Sequence, residues 1–397
     1  MKEYKESHLK YESIPDCEGQ EIDETADLTV KLQDTRAQDD TTPDGRPLRG
    51  VHAKSHGCLG ARFVVNEDVD PQYQVGLFAN PGRAHDAWVR FSNAAVLRED
   101  DLKADREGVR KNGSRGMAVK VLDVDGDMLD LDGGRQNQDF LMINTPRFAF
   151  ANARDYLRLD RILALDPKGA DPSAYFIPAI LAQLGEPRDG EPAEVSAKRN
   201  ALKDISSRIP FLKNLTREDL MGTIASAKVA KLIETQVVRN PLEVQYFGAA
   251  PFMFGADKVM KFSAKPVTPV AQPPFEDITP TNPSPDYLRE ALAETMQGTK
   301  EICFEFMVQT QQVPGEELKI EDATTTWDNE LENYQSVARL VIAAPQTPHT
   351  AEEEAICEQL AFTPWHSLAA FRPIGGINRL RRKVYHASAE HRSALGG

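Results

Sequence analysis

Between residues 49 and 145 the apolar positions fall in short runs. Residues 52–65, 87–92, 116–122 and 139–144 are rich in β-branched and aromatic side chains and are separated by Gly, Pro, Asn and Asp. That combination predicts β-strands. Asp125-Gly126-Asp127 and Asp132-Gly133-Gly134 are turn signals between them. From 146 to 240 the period changes. Residues 153–164, 173–184, 194–206 and 217–236 repeat apolar positions at intervals of three and four, with Asp171 and Thr216 placed as helix caps. Strand-like runs return at 244–247, 258–262, 302–309 and 337–342. The proline-rich stretch 266–285 reads as a surface connection, and helical spacing resumes at 351–360 and 378–391.

Strands and helices thus arrive in blocks and do not alternate one by one. This predicts an α+β fold in place of a doubly wound α/β sheet, with an antiparallel barrel or sandwich as its β part. Two units are expected. Residues 1–45 form an N-terminal arm, mostly an extended polar wrapper with a short helix from Asp23 to Arg36. Residues 46–392 form one domain, with a β-barrel from 49–145 and 243–345, a helical insert over 150–240 and C-terminal helices over 351–392.

Of the 397 residues, 41% are hydrophobic, enough for a sizeable core. The net charge of −14 argues against nucleic acid or an anionic membrane as partner, since both carry the same sign. No window reaches the roughly 18 apolar residues that span a bilayer. The charged stretch Met1–Lys10 has no apolar segment of a secretory leader, and a cytoplasmic location is expected. Cys17, Cys58, Cys303 and Cys357 lack CxxC spacing and predict neither a zinc site nor a dense disulfide framework. No GxGxxG follows a strand and no GxxxxGK[ST] occurs, so nucleotide cradling is unsupported.

Four local signatures carry candidate chemistry. They are Arg49-x-Val51-His52-Ala53-Lys54; Val89-Arg90-Phe91-Ser92 with Arg115-Gly116-x-Ala118-Val119-Lys120 behind it; Asn144-Thr145-Pro146-x-Phe148; and Arg381-x-x-x-Tyr385. Each alone is weak, but their order and spacing together are specific. On them, residues 46–392 resemble the haem catalase superfamily. Val244-x-Tyr246-Phe247, with Pro251-Phe252-x-Phe254-Gly255, and Glu321-Asp322-Ala323-x-x-x-Trp327 look like its shorter branch of catalase-related peroxidases and fatty-acid-hydroperoxide enzymes. The resemblance implies a catalase-like antiparallel β-barrel core with inserted and C-terminal helices.

It also implies roles. Cleaving a peroxide O–O bond at ferric haem needs a base that takes a proton from one oxygen and returns it to the other, and a neutral imidazole does this near pH 7. His52 is the matching residue, Asn144 the neutral donor beside it, and Ser92 the hydroxyl that orients the ring. Tyrosine is the proximal ligand of the catalases, which points to Tyr385. Arg381, four residues earlier on one helix face, supplies the positive charge that favours a phenolate. Arg49 and Arg90, with cations near Arg115 and Arg381, match positions that pair haem propionates, since guanidinium meets carboxylate bidentately. Phe91, Phe140 and Phe148 are candidates to line the haem faces. His56, His85, His366, His386 and His391 are read as structural or surface.

The function so implied is a haem-dependent peroxidase that reduces hydrogen peroxide or organic hydroperoxides, with weak catalase activity. The alternatives are a fatty-acid-hydroperoxide lyase or allene oxide synthase, and a catalytically silent haem-binding protein. Valine at 51 leans away from the allene oxide synthase branch, which carries threonine there. Haem b, held non-covalently for want of CxxCH, is the expected cofactor. The partners are a peroxide and an unassigned reducing donor, with no nucleic acid and no stable membrane insertion. A homo-oligomer with exchanged N-terminal arms suits the family. The flavodoxin-like extension of large catalases is missing from the sequence, and the sequence places no NADPH pocket and leaves NADPH binding open.

Overall fold

A computed structural model describes residues 12–94, 98, 100–104, 110–167, 172–212, 215–236, 238–270, 284–312, 320–325, 327 and 333–395. The strands are β1 (Ser55–Val65), β2 (Ala84–Asn93), β3 (Leu102–Ala104), β4 (Arg110–Asn112), β5 (Arg115–Val121), β6 (Gln138–Ile143), β7 (Tyr246–Phe247), β8 (Phe252–Phe254), β9 (Lys258–Pro266), β10 (Ile302–Gln312) and β11 (Gln335–Ile342). The helices are α1 (Glu18–Ala37), α2 (Ala153–Leu165), α3 (Ile177–Leu184), α4 (Ala193–Ser207), α5 (Arg217–Glu234), α6 (Tyr287–Met296), α7 (Ala351–Gln359) and α8 (Gly376–Leu395). Among the described residues no helix is long and apolar enough to cross a membrane.

The strand order β10-β11-β1-β2-β5-β6-β7-β9 closes on itself, because β9 also pairs with β10. Eight strands therefore make a closed antiparallel barrel, with β8 added on β9 and β3–β4 as a separate ribbon. Closure leaves no free edge within the circuit. A barrel of eight strands is just wide enough to be filled by side chains, and phenylalanine fills this one. Phe140 lies 4.7 Å from Phe306, 5.0 Å from Phe262 and 5.9 Å from Phe63, ring centre to ring centre. Helices cover part of the outer face, so several strands are buried on both sides. β5 and much of β2 accordingly read as nearly continuous buried runs.

The α+β expectation and the antiparallel barrel match the structure, and two local differences have plain causes. The N-terminal segment is not mostly extended. Residues 18–37 form α1, which packs along α8 and α2. Its buried residues are Glu18, Thr25, Ala26, Thr29, Leu32, Gln33 and Arg36, mostly small, polar or charged, and they give little apolar periodicity. The second difference is α6, which buries Tyr287, Leu288, Ala291, Leu292 and Met296 just after the proline-rich stretch. Residues 271–283 of that stretch lie outside the described residues.

Candidate haem and peroxide site

The site sits on the outside of the barrel wall, where β2 and β5 run side by side. Ser92 pairs directly with Gly116, and Arg90 with Ala118. Side chains alternate across a strand, so Arg90 and Ser92 share one face while Val89 and Phe91 point into the core. The segment before β1 crosses this face. His52 adopts φ of +58°, in the left-handed region where a non-glycine residue is uncommon. That turn lays its ring against Ser92, with 2.9 Å between His52 Nδ1 and Ser92 Oγ. The Arg90 guanidinium donates to the His52 carbonyl at 2.9 Å. Gly116 makes room for the ring, since a Cβ there would lie 2.4 Å from both Cε1 and Nδ1 of His52.

The imidazole is held uncharged. Burial, then the Arg90, Arg381 and Arg49 guanidinium groups, push its pKa down to about 3. The ring is thus a free base across the neutral range.

On the opposite element, α8, Arg381 and Tyr385 stand one turn apart. Arg381 Nη2 is 3.5 Å from the Tyr385 hydroxyl, and its guanidinium carbon lies 5.2 Å from the ring centre. Asn378 anchors this helix: it accepts from Arg381 at 3.2 Å and donates to the Pro251 carbonyl at 2.8 Å. Residues from both elements, including His52, Phe148, Arg381 and Tyr385, line one open pocket of about 1110 Å³.

That pocket is rich in cations. Arg46, Arg49, Arg90, Arg381 and Arg392 line it, against the single carboxylate of Glu358. Arg49 donates to the carbonyls of Leu360 (3.0 Å) and Cys357 (2.8 Å), and Arg392 pairs with Glu358 at 2.5 Å. Burial and mutual repulsion push Arg49 and Arg90 down to about 10. The Nε atoms of Arg49, Arg90 and Arg381 are buried without a hydrogen-bond partner. Buried donors are normally satisfied. Three orphaned guanidinium nitrogens in one pocket fit an anionic group with carboxylates, as haem is.

A second cavity meets the first at Val51, His52, Arg381 and Tyr385. Its further walls are apolar: Phe150 from the loop before α2, Leu159 and Leu163 from α2, Ile233 from α5, and Ile377 and Leu380 from α8.

The structure brings Val51, His52, Ser92, Arg49, Arg90, Phe148, Arg381 and Tyr385 together around these cavities. Other candidates are placed elsewhere. Asn144 lines neither cavity. Its oxygen accepts from the Arg115 amide (2.8 Å) and Ser114 (3.1 Å), and its nitrogen donates to Gln236 at 2.7 Å. The amide is a latch between the barrel and α5, not a donor aimed at a ligand. Phe91 and Phe140 are barrel core. The Arg115 guanidinium binds Asn93 and the Asp101 carbonyl. Arg46, Arg392 and Glu358 were not signalled by any motif; they reach the pocket only through the packing of α7 and α8 on the segment before His52. His56 is buried against Asn93 at 2.8 Å, and His366 belongs to a buried network with Asp139 and Lys120.

A closed eight-stranded barrel with a half-buried imidazole on its wall, sharing a pocket with an arginine–tyrosine pair on a late helix, defines the class. Comparison gives it a name: the chain has the catalase fold. A bacterial catalase structure superposes with a TM-score of 0.57 at 16% identity, covering 91% of this chain and 59% of that one. Catalase A from Saccharomyces cerevisiae gives 0.57 and 16%, covering 88% and 62%. By sequence, a catalase of Staphylococcus haemolyticus is 26% identical over 158 residues, which is 36% of this chain and 28% of the relative. A catalase-like protein of Staphylococcus aureus is 28% identical over 122 residues, 31% of this chain and 23% of that protein. The chain therefore matches about a quarter of the length of these curated relatives, and about three fifths of the solved catalases. No family model matches it.

Proposed function

We propose that the chain is a haem-dependent peroxidase that reduces hydrogen peroxide or organic hydroperoxides, with weak catalase activity. The observation that carries this reading is a half-buried, uncharged imidazole sharing an arginine-lined pocket with Tyr385. The names of its relatives, catalase and catalase-like protein, point the same way.

Haem b, when bound, supplies the iron at which a peroxide O–O bond is cleaved. Arg49, Arg90 and Arg381 would hold its carboxylates with their unpartnered Nε–H groups. Tyr385 would hold the haem iron through its hydroxyl oxygen, and the Arg381 guanidinium beside that hydroxyl would offset negative charge on the oxygen. His52 takes the proton from one peroxide oxygen and delivers it to the other. Its low pKa keeps the accepting nitrogen free, and Ser92 fixes the ring plane. Asn144, whose amide is bonded to Arg115, Ser114 and Gln236, is assigned no step in this proposal. Room for the carbon chain of an organic hydroperoxide is supplied by the apolar cavity beyond Val51.

The test is stoichiometric. The haem-loaded protein is given hydrogen peroxide and then cumene hydroperoxide, with and without a phenolic donor, while oxygen and donor oxidation are followed. Donor oxidation matching peroxide consumed, with little oxygen, is the expected result. Consumption of hydroperoxide without a donor and without oxygen would instead mark a lyase or allene oxide synthase. Consumption of neither peroxide would overturn the reading.

A further inference from the structure

Cys58 lies on β1, six residues after His52, and Cys357 lies near the end of α7; the two are joined by a disulfide. Both residues are buried. Both nevertheless form the wall of a third cavity, which shares Glu358 with the arginine pocket. Lys54, Arg98, Arg289 and His349 share that wall, among carboxylates that include Glu358. The species that leaves in disulfide exchange is a thiolate; the cations of this wall are ion-paired, Lys54 with Asp101 and Asp286, Arg98 with Asp40 and Arg289 with Glu354.

The same short segment serves the arginine pocket. The Cys357 carbonyl accepts from Arg49 at 2.8 Å, and the Leu360 carbonyl accepts from it at 3.0 Å. Glu358, which lines both cavities, lies 3.9 Å from Arg49 and pairs with Arg392. The bridge therefore ties to the barrel wall the stretch of chain that supplies both hydrogen-bond acceptors of Arg49.

We propose that Cys58–Cys357 is a redox-modification site for a small dithiol entering through the third cavity, and that its state sets how firmly Arg49 is presented to an anion in the arginine pocket. The inference rests on the function proposed above only in taking that anion to be a haem carboxylate. A thiolate of the dithiol attacks one bridge sulfur, the Sγ–Sγ bond breaks, and the other cysteine leaves as a thiolate that takes up a proton. The second dithiol sulfur displaces the protein sulfur and closes a cyclic disulfide. Two electrons have then passed from the dithiol to the protein. A hydroperoxide reverses the change: one cysteine thiolate attacks a peroxide oxygen and becomes a sulfenic acid as water or alcohol leaves, and the other cysteine displaces hydroxide, released as water, to restore the bridge.

The experiment uses the full chain. Cys17 and Cys303 are free thiols and are blocked first with N-ethylmaleimide. Dithiothreitol is then added under native conditions, and the protein is labelled with iodoacetamide. Amide hydrogen exchange over residues 351–362 and haemin affinity by absorption titration are measured before and after. Labelling at Cys58 and Cys357, faster exchange, and a haemin dissociation constant raised roughly tenfold are expected; tenfold is the order of one charge-assisted hydrogen bond. The double variant Cys58→Ser/Cys357→Ser should match the reduced protein and ignore dithiothreitol. Labelling only after denaturation would overturn the proposal. So would labelling that leaves exchange and haemin affinity unchanged. If labelling and exchange respond but haemin binds neither form, the redox site stands and the cofactor assignment falls.

Discussion

The two cavities that meet at His52 and Tyr385 are built from opposite materials. One is lined by five arginines and a single glutamate, with three guanidinium nitrogens left unpartnered. The other is walled by leucine, isoleucine and phenylalanine from the helical block and α8. Concentrated buried positive charge is costly without an anion to meet it, whereas an apolar cavity gains by taking up hydrocarbon. Under the proposed function, the charged group belongs on the barrel side and the substrate's carbon chain on the helical side. His52 stands at the junction, where a peroxide linking the two would have to lie.

The sharpest way to break this comparison is to remove the group at the junction. His52→Ala should lower kcat/KM for every peroxide by ~10²–10⁴, the usual worth of a positioned acid–base group. An equal loss for hydrogen peroxide and cumene hydroperoxide, read in steady-state assays, would place His52 in both reactions. A loss confined to one would split the cavities into separate sites.

Ionisable groups near the site should also respond oppositely to pH. Half-buried His52 and buried His56 have pKa values of about 3 and 4, below the ordinary 6.5 of an unfolded histidine. The unfolded chain therefore binds more protons, and stability falls as pH drops from 6.5 to about 3. Asp160 on α2 is pushed by burial up to about 8. The folded chain then binds more protons, and stability falls as pH rises from about 4 to about 8. Each effect is on the order of a few kcal/mol. Asp160→Asn should flatten the alkaline limb of a denaturant-midpoint profile and leave the acid limb intact; an unchanged alkaline limb would refute the assignment.

Smaller effects follow. Gly116→Ala puts a methyl into the space of the His52 ring and should cost turnover ~10²-fold, the scale of an ångström's misplacement. Haemin affinity should change little, which separates a misplaced base from a lost cofactor. Leu159→Trp fills the apolar cavity. It should lower kcat/KM for cumene hydroperoxide by roughly tenfold while leaving hydrogen peroxide within about twofold. A parallel loss for both would mean that the cavity is not a substrate channel.

Much of this arrangement was legible in the chain, and the reasons differ by residue. Arg90, Ser92 and Gly116 lie on two strands whose register pairs them, so motifs close in sequence became neighbours in space. The same period of two explains why Phe91 was misread: it sits between two pocket residues and must point the other way. Asn144 looked like a free amide because nothing local reveals Gln236, 92 residues away at the end of α5. Arg46, Arg392 and Glu358 were silent for a related reason. Their grouping exists only once α7 and α8 have packed against the segment before His52. The disulfide was equally hidden, since four cysteines without spacing leave the pairing open, and this one spans 299 residues.

The central claim is that Tyr385 and the arginine pocket hold a haem. It is tested most directly by titrating the wild-type chain and Tyr385→Phe with haemin and recording absorption spectra. The account predicts one haem per chain and a ferric spectrum with a tyrosinate-to-iron band in the wild type. In Tyr385→Phe that band should vanish while the arginine pocket still binds haemin. Identical spectra for the two proteins, or no saturable binding by the wild type, would contradict it.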